Sequence, residues 1–194
     1  MANSGTTVIG EVTQLNMILA DAAPQNATAS VLPIGSMYAS SAEFVGRQTQ
    51  LDELATFLGT RGNPPSVAVV SGLPGVGKTA FVRQAALTAE TAQPFTRALF
   101  TDQHGYDESA ADRIRPDSLY GPLLRGLGIP GDQIPLTLGD RAALYHQVLD
   151  QHAAAGNSVL IWLDNVGDSG QIDGLIPGSP IHRVVVTTRE TLPR

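Results

Sequence analysis

The 194-residue chain contains no cysteine, which excludes disulfide staples, thiolate zinc sites and a cysteine nucleophile, and fits a reducing compartment. Basic residues are scarce: 12 Lys and Arg stand against 18 Asp and Glu, a formal net charge of −6. No broad basic surface is available to attract DNA, RNA or anionic lipid, so direct nucleic-acid binding is not expected. No apolar run approaches the roughly 18 residues that a membrane helix needs, and the opening MANSGTTVIGEV lacks the basic start and apolar stretch of a signal peptide. These absences predict a cytoplasmic chain with no membrane partner. What is present is 42% hydrophobic residues over 194 positions, enough for one main domain around one well-buried core.

Residues 1–42 are rich in Ala, Ser, Thr, Asn and Pro and read as an arm or linker. The β-branched stretch Thr6 to Leu15 equally suits an edge strand docked on the main sheet, and the sequence leaves both open. From Ser41, a possible cap, the character changes, and residues 43–194 read as one domain. Gln50 to Leu58 places Leu51, Leu54, Phe57 and Leu58 on one helical face. Asn63-Pro64-Pro65 breaks the chain, and Val67 to Val70 is a short apolar run of the kind found in buried parallel strands. Thr79 to Glu90 predicts a helix with Phe81, Ala85 and Ala89 stacked at spacing four. Arg97 to Thr101 predicts a second strand, and the polar QHGYDESAADRIRPDS after it a surface loop. Leu119, Leu123 and Leu127 mark a helix closed by Gly128, and Asp140 is placed to cap another in which Leu144 with Val148 and Tyr145 with Leu149 make the buried stripe. Ser158 to Leu163 and Arg183 to Thr187 complete the strands. Strand and helix in alternation predict an α/β domain: a three-layer sandwich around a parallel sheet of four or more strands.

Gly72-Leu73-Pro74-Gly75-Val76-Gly77-Lys78-Thr79 satisfies G-x-x-x-x-G-K-[ST], between a predicted strand and a predicted helix. The glycines let successive backbone N–H groups turn toward an anion, and the helix start, through Ala80, adds its positive dipole end. Lys78 reaches the β and γ phosphates, and the Thr79 hydroxyl ligates magnesium. The chain is thus predicted to bind a purine nucleoside triphosphate or diphosphate with Mg2+. Five apolar residues, Val159 to Leu163, end in Asp164, the acid that would hold the metal through its water shell. The next residue is Asn165. An amide orients water but cannot take a proton at neutral pH, which predicts slow or absent hydrolysis. Val186-Thr187-Thr188-Arg189 ends a strand in hydroxyls and a guanidinium, and beside the P-loop strand Arg189 would face the γ phosphate.

Phe44-Val45-Gly46-Arg47, the P-loop, Leu163-Asp164-Asn165 and Val186-Thr187-Thr188-Arg189, in this order, resemble the nucleotide-binding domain of NB-ARC proteins. That family lies within the STAND class of signal-transduction ATPases, and the resemblance is strongest to the actinobacterial branch that includes antibiotic-pathway regulators. The segments from Phe100 to Asp107, Leu124 to Gly128 and Leu175 to Pro180 resemble the same branch. The resemblance implies that Val45, Gly46 and Arg47 frame the adenine, and that ADP holds a closed state which exchange for ATP opens into a homo-oligomer. It implies roles for Lys78, Asp164 and Arg189 in any chemistry at the γ phosphate. Gln48 stands where an acid usually follows the Gly-Arg pair, and His104 where the branch often has arginine. The resemblance also implies a last sheet strand, a helical subdomain and a winged-helix subdomain beyond Arg194, so a fragment of a longer regulator is expected. In that case the sensor-like strand ending at Arg189 lies between the P-loop strand and the Asp164 strand. The other edge of the P-loop strand then needs cover from the N-terminal segment or a neighbouring molecule.

The function that fits these readings is an ATP/ADP-binding switch module of a signalling or transcription-regulatory ATPase. Two alternatives come from other classes. A P-loop nucleotide or small-molecule kinase would bring arginines on a mobile lid, for which Arg113 and Arg115 are the available residues. A docking scaffold would use residues 1–42 to carry the output.

Overall fold

The computed structural model describes residues 6–9, 12–17, 46–60, 67–92, 95–107 and 113–189. The proposed cap Ser41 and the motif residues Phe44 and Val45 lie outside them. Strands β1 (Thr6–Ile9) and β2 (Val12–Met17) precede helix α1 (Gln48–Gly59). There follow β3 (Val67–Gly72), α2 (Lys78–Ala92), β4 (Arg97–Asp102), α3 (Pro116–Gly126), α4 (Leu138–Ala154), β5 (Val159–Val166) and β6 (Arg183–Thr188).

The six strands among the described residues form one sheet in the order β1-β2-β3-β6-β5-β4. Every neighbouring pair is parallel except β1 with β2. Strand β6 therefore lies between the P-loop strand β3 and the Asp164 strand β5, as the resemblance implied. The other edge of β3 is covered by the chain itself: Val12 to Met17 run in register with Val67 to Gly72. Where the sequence leaves Thr6 to Leu15 between arm and docked strand, the structure has two strands of the main sheet.

Because side chains alternate across a strand, each run of valines feeds both faces of the sheet. Ala68, Val70, Ala98, Leu160, Trp162 and Val185 face α1 and α2, where they meet Leu51, Leu54, Leu58, Phe81 and Ala85. Val67, Val69, Leu99, Ile161, Val184 and Val186 face α3 and α4, against Leu119, Leu123, Tyr145 and Leu149. This is the three-layer α/β sandwich of a P-loop NTPase. Each fully buried Leu, Val or Phe side chain contributes about 1.5–3 kcal/mol.

Two local expectations are corrected. Helix α3 begins at Pro116, inside the stretch read as loop; proline at the first helical turn forfeits no hydrogen bond, and its fixed φ suits that position. The cap of α4 is Thr137 rather than Asp140: the Thr137 hydroxyl accepts from the Asp140 amide at 3.2 Å and donates to the Asp140 carboxylate at 2.6 Å. Arg183, read only as the start of a strand, does begin β6 and has a further role. It is 1% exposed and donates to the backbone oxygens of Phe57 at 3.0 Å, His182 at 3.0 Å, Pro180 and Thr60. It thereby satisfies carbonyls at the C-terminal end of α1, where a cation is favoured.

Candidate nucleotide site

The glycine-rich loop joins the C-terminal end of β3 to α2, which starts at Lys78. Gly75 (φ 76°) and Gly77 (φ 84°) occupy the left-handed region, which side-chain-bearing residues enter only at a cost. Phe81 N bonds Gly77 O at 2.9 Å, the first helical bond, so the amides ahead of it have no helical acceptor. Lys78 Nζ folds back over the loop and donates to the carbonyls of Gly72 at 2.8 Å and Leu73 at 3.0 Å. Burial lowers the Lys78 pKa, the Asp164 carboxylate opposes that shift, and the Arg189 charge adds to it.

Asp164 is 7% exposed at the end of β5. Its carboxylate accepts from the Thr79 hydroxyl at 3.0 Å and from the Thr187 hydroxyl, so P-loop, sensor strand and acid strand meet on one group. Burial raises its pKa, while these two hydroxyls and Lys78 oppose the rise and the charge of Asp102 adds to it. A bulge places it there. Strand β5 pairs with β6 at Leu163–Val186 and again at Val166–Thr188, which leaves Asp164 and Asn165 both opposite Thr187. Asn165 takes φ 57°, its amide donates to the Thr187 hydroxyl at 2.9 Å, and its side chain donates to Asp102 Oδ1 at 3.4 Å.

The loop after β4 lies across the same edge. Gly105 N bonds Asn165 O at 2.8 Å, and a Cβ on Gly105 would stand 2.0 Å from Gly167 N, so two backbones touch where only glycine fits. The buried Gln171 ties these loops together, accepting from Gly167 N at 2.7 Å and donating to Gln103 O at 2.7 Å and Ile114 O at 2.9 Å. Tyr106 is thereby held beneath Arg189: its hydroxyl is 2.7 Å from Thr188 Oγ1, and the guanidinium carbon lies 4.4 Å from its ring centre.

Of the residues singled out in the sequence, Lys78, Thr79, Asp164 and Arg189 converge at the C-terminal ends of β3, β5 and β6. Gly72, Pro74, Gly75, Val76 and Gly77 form the loop itself, and Ala80 lies in the first turn of α2. Gly46 (φ 95°) and Arg47 (φ 59°) form a left-handed turn before α1, and Arg47 Nη1 donates to Val76 O at 3.2 Å, joining that motif to the P-loop. Arg113 and Arg115 do not converge on this site: Arg113 bonds the Asp107 carbonyl at 3.3 Å and Arg115 lies 3.6 Å from the Asp168 carboxylate. Sequence reasoning gave no role to Asp102, Tyr106, Gln171 or Arg183. The first two carried a readable signal, a carboxylate at a strand's C-terminal end and an aromatic in the loop that follows.

The residues present fit a magnesium-bound nucleotide. A buried carboxylate beside a hydroxyl is a hard oxygen donor pair, which Mg2+ completes with water and phosphate oxygens. Among the described residues no group of three or more His, Cys, Asp or Glu could hold a metal without such help. No described helix is long and apolar enough to cross a membrane.

The sequence profile of the AAA ATPase domain matches residues 43–173. This chain belongs to the AAA ATPase domain family. The AAA domain is also similar to two regulators, both named Regulatory protein AfsR. The protein from Streptomyces griseus is 38% identical over 148 residues, which cover 76% of this chain and 14% of that protein. Its counterpart from Streptomyces coelicolor (strain ATCC BAA-471 / A3(2) / M145) is 34% identical over 177 residues, 88% of this chain and 17% of that protein. The chain thus spans less than a fifth of the curated relatives it matches. A nucleotide-binding ATPase module of the kind found in such regulators is what these similarities support.

Proposed function

We propose that this AAA domain is the ATP/ADP-binding switch module of a signalling or transcription-regulatory ATPase of the NB-ARC type within the STAND class, with slow hydrolysis. The observation that carries the reading is the contact of Thr79 with the buried Asp164 beside Lys78, in a chain similar to proteins named as regulators. Lys78 would meet the β and γ phosphates, and the amides of the glycine loop and helix start would cradle them. Thr79 and Asp164 would hold magnesium. Arg189 would meet the γ phosphate, and Val45, Gly46 and Arg47 would frame the adenine. Residues 43–194 would act as the nucleotide-binding unit, with residues 1–42 as an arm that lends strands to its sheet. Homo-oligomerisation through the domain in a longer parent belongs to the same reading, as does a cytoplasmic location.

Hydrolysis is slow in this reading because the position directly after Asp164 holds Asn165, whose amide cannot accept a proton, so no carboxylate stands immediately beside the metal-side acid. The kinase alternative loses support because Arg113 and Arg115 are engaged in loop contacts away from the P-loop. Calorimetric titration with ATP, ADP and GTP, with and without magnesium, tests the proposal. Adenine nucleotides should bind, guanine nucleotide more weakly, and Asp164→Asn should remove the magnesium dependence. Magnesium dependence unchanged in Asp164→Asn would contradict the metal role.

A further inference from the structure

We propose that Asp102 is the general base of this site, its carboxylate orienting and deprotonating the water that attacks the γ phosphorus of ATP. The inference rests on the nucleotide-binding reading above. Asn165 follows the metal-side acid but has no carboxylate to offer, so a base must come from a neighbouring element. Strand β4 supplies it. Asp102 and Asp164 are register partners at the C-terminal ends of adjacent parallel strands, so their side chains leave the sheet on the same side. The Asn165 amide reaches Asp102 Oδ1 at 3.4 Å, which puts a carboxylate one side-chain contact from the position next to Asp164.

The two oxygens of Asp102 are in different situations. Oδ1 is anchored, accepting from His104 N at 2.9 Å and from Asn165 Nδ2. Oδ2 makes no hydrogen bond among the described residues, and the side chain is only half-buried. An anchored carboxylate with one oxygen left for a water is the arrangement a general base needs. The amide of Asn165 fixes that carboxylate and can itself orient the water. In the step, the water oxygen bonds to the γ phosphorus as the bond from phosphorus to the β–γ bridging oxygen breaks. The water proton passes to Asp102 and from there to the released phosphate or solvent, and ADP leaves with the electron pair of the broken bond.

The ordinary alternative is structural: a carboxylate that accepts from the amide two residues on simply ends a strand. Asp102→Asn separates the two, because asparagine keeps the acceptor for His104 N but is neutral and cannot take a proton. Three properties are measured on wild type, Asp102→Asn and the exchanged pair Asp102→Asn/Asn165→Asp. They are single-turnover ATP hydrolysis with protein in excess, affinity for ADP alone and for ADP with aluminium fluoride, and the melting midpoint. Aluminium fluoride with ADP mimics the planar phosphoryl group and its attacking water, so wild type should bind it more tightly than ADP alone.

The expected result is that Asp102→Asn slows hydrolysis by about 100-fold or more and loses the aluminium fluoride gain. Its affinity for ADP and its midpoint should stay unchanged, and the exchanged pair should recover part of the rate. Hydrolysis at the wild-type rate in Asp102→Asn would overturn the proposal, as would a wild type that binds ATP without hydrolysing it faster than buffer. Loss of ADP affinity together with hydrolysis would also overturn it, by assigning Asp102 to loop structure. A wild type that fails to bind ATP at all would instead defeat the nucleotide reading, and the binding measurement tells the two failures apart.

Discussion

The guanidinium carbon of Arg189 lies 4.4 Å from the ring centre of Tyr106, whose hydroxyl accepts from the Arg189 backbone amide at 2.8 Å. One tyrosine thus fixes both the backbone and the charge of the residue proposed to meet the γ phosphate. A cation over an exposed aromatic face contributes about 0.5–1 kcal/mol, which corresponds to roughly a two- to fivefold change in an equilibrium. Tyr106→Ala should therefore reduce the preference for ATP over ADP by about that factor, while Tyr106→Phe, which keeps the ring, should retain most of it. Competition binding measures the ratio. An unchanged ratio in Tyr106→Ala would show that the stack does not position Arg189 for nucleotide.

Arg183 couples the sensor strand to α1 through the backbone carbonyls of Phe57 and Thr60, and also binds those of Pro180 and His182, with the Phe57 ring 5.5 Å from its guanidinium carbon. Replacing it with methionine fills similar volume but leaves those partly buried acceptors without their charged donor. Bonds to a charged donor contribute about 1.5–3 kcal/mol, so a net loss of about 3 kcal/mol is expected. At roughly 2–4 °C per kcal/mol for a domain of this size, Arg183→Met should melt about 6–12 °C lower. A change within about 2 °C would contradict the capping role.

His182 is fully buried, its Nδ1 accepting from Val159 N at 3.2 Å and its Nε2 lying 2.9 Å from Leu149 O. Only the neutral ring with hydrogen on Nε2 satisfies both contacts. Burial, with help from His152 and Arg183, lowers its pKa below 6.5, against the Leu149 bond and Asp150. The unfolded chain then binds the proton more readily than the folded one. His182 contributes stability that is present above pH 6.5 and is lost as pH falls through the folded pKa. Urea unfolding from pH 8 to pH 5 should show a loss of midpoint below about pH 6.5 that is smaller in His182→Asn. An equal loss in both would assign the acid sensitivity elsewhere.

The strands and the P-loop were legible because their signals are local: four apolar runs, a glycine pattern between strand and helix, and an acid ending Val159 to Leu163. The order β3-β6-β5 came from resemblance rather than from pattern, since nothing in a valine run names its neighbour. The same limit explains what was missed. Tyr106 meets Thr188 and Arg189, Gln171 meets Gly167 and Gln103, and Thr187 meets Asp164 only because the sheet brings distant segments to one edge. Thr6 to Leu15 stayed undecided because β-branched residues suit a docked strand, while the Ala-, Ser- and Pro-rich context suits an arm.

Nucleotide binding at the glycine loop depends on Lys78 above all. A ligand that binds only the folded state stabilises it by about 2.7 kcal/mol at 100 times its dissociation constant. That corresponds to a rise of roughly 5–11 °C in the midpoint of a domain of this size. In the structure, the Lys78 ammonium bonds two loop carbonyls but is also partly desolvated, two effects that offset each other. Lys78→Ala should therefore melt within a few degrees of wild type without ligand. The decisive measurement is the thermal midpoint of both proteins with saturating ADP and magnesium. The account predicts a shift of about 5–11 °C in wild type and the loss of most of it in Lys78→Ala; an equal shift in the two would contradict it.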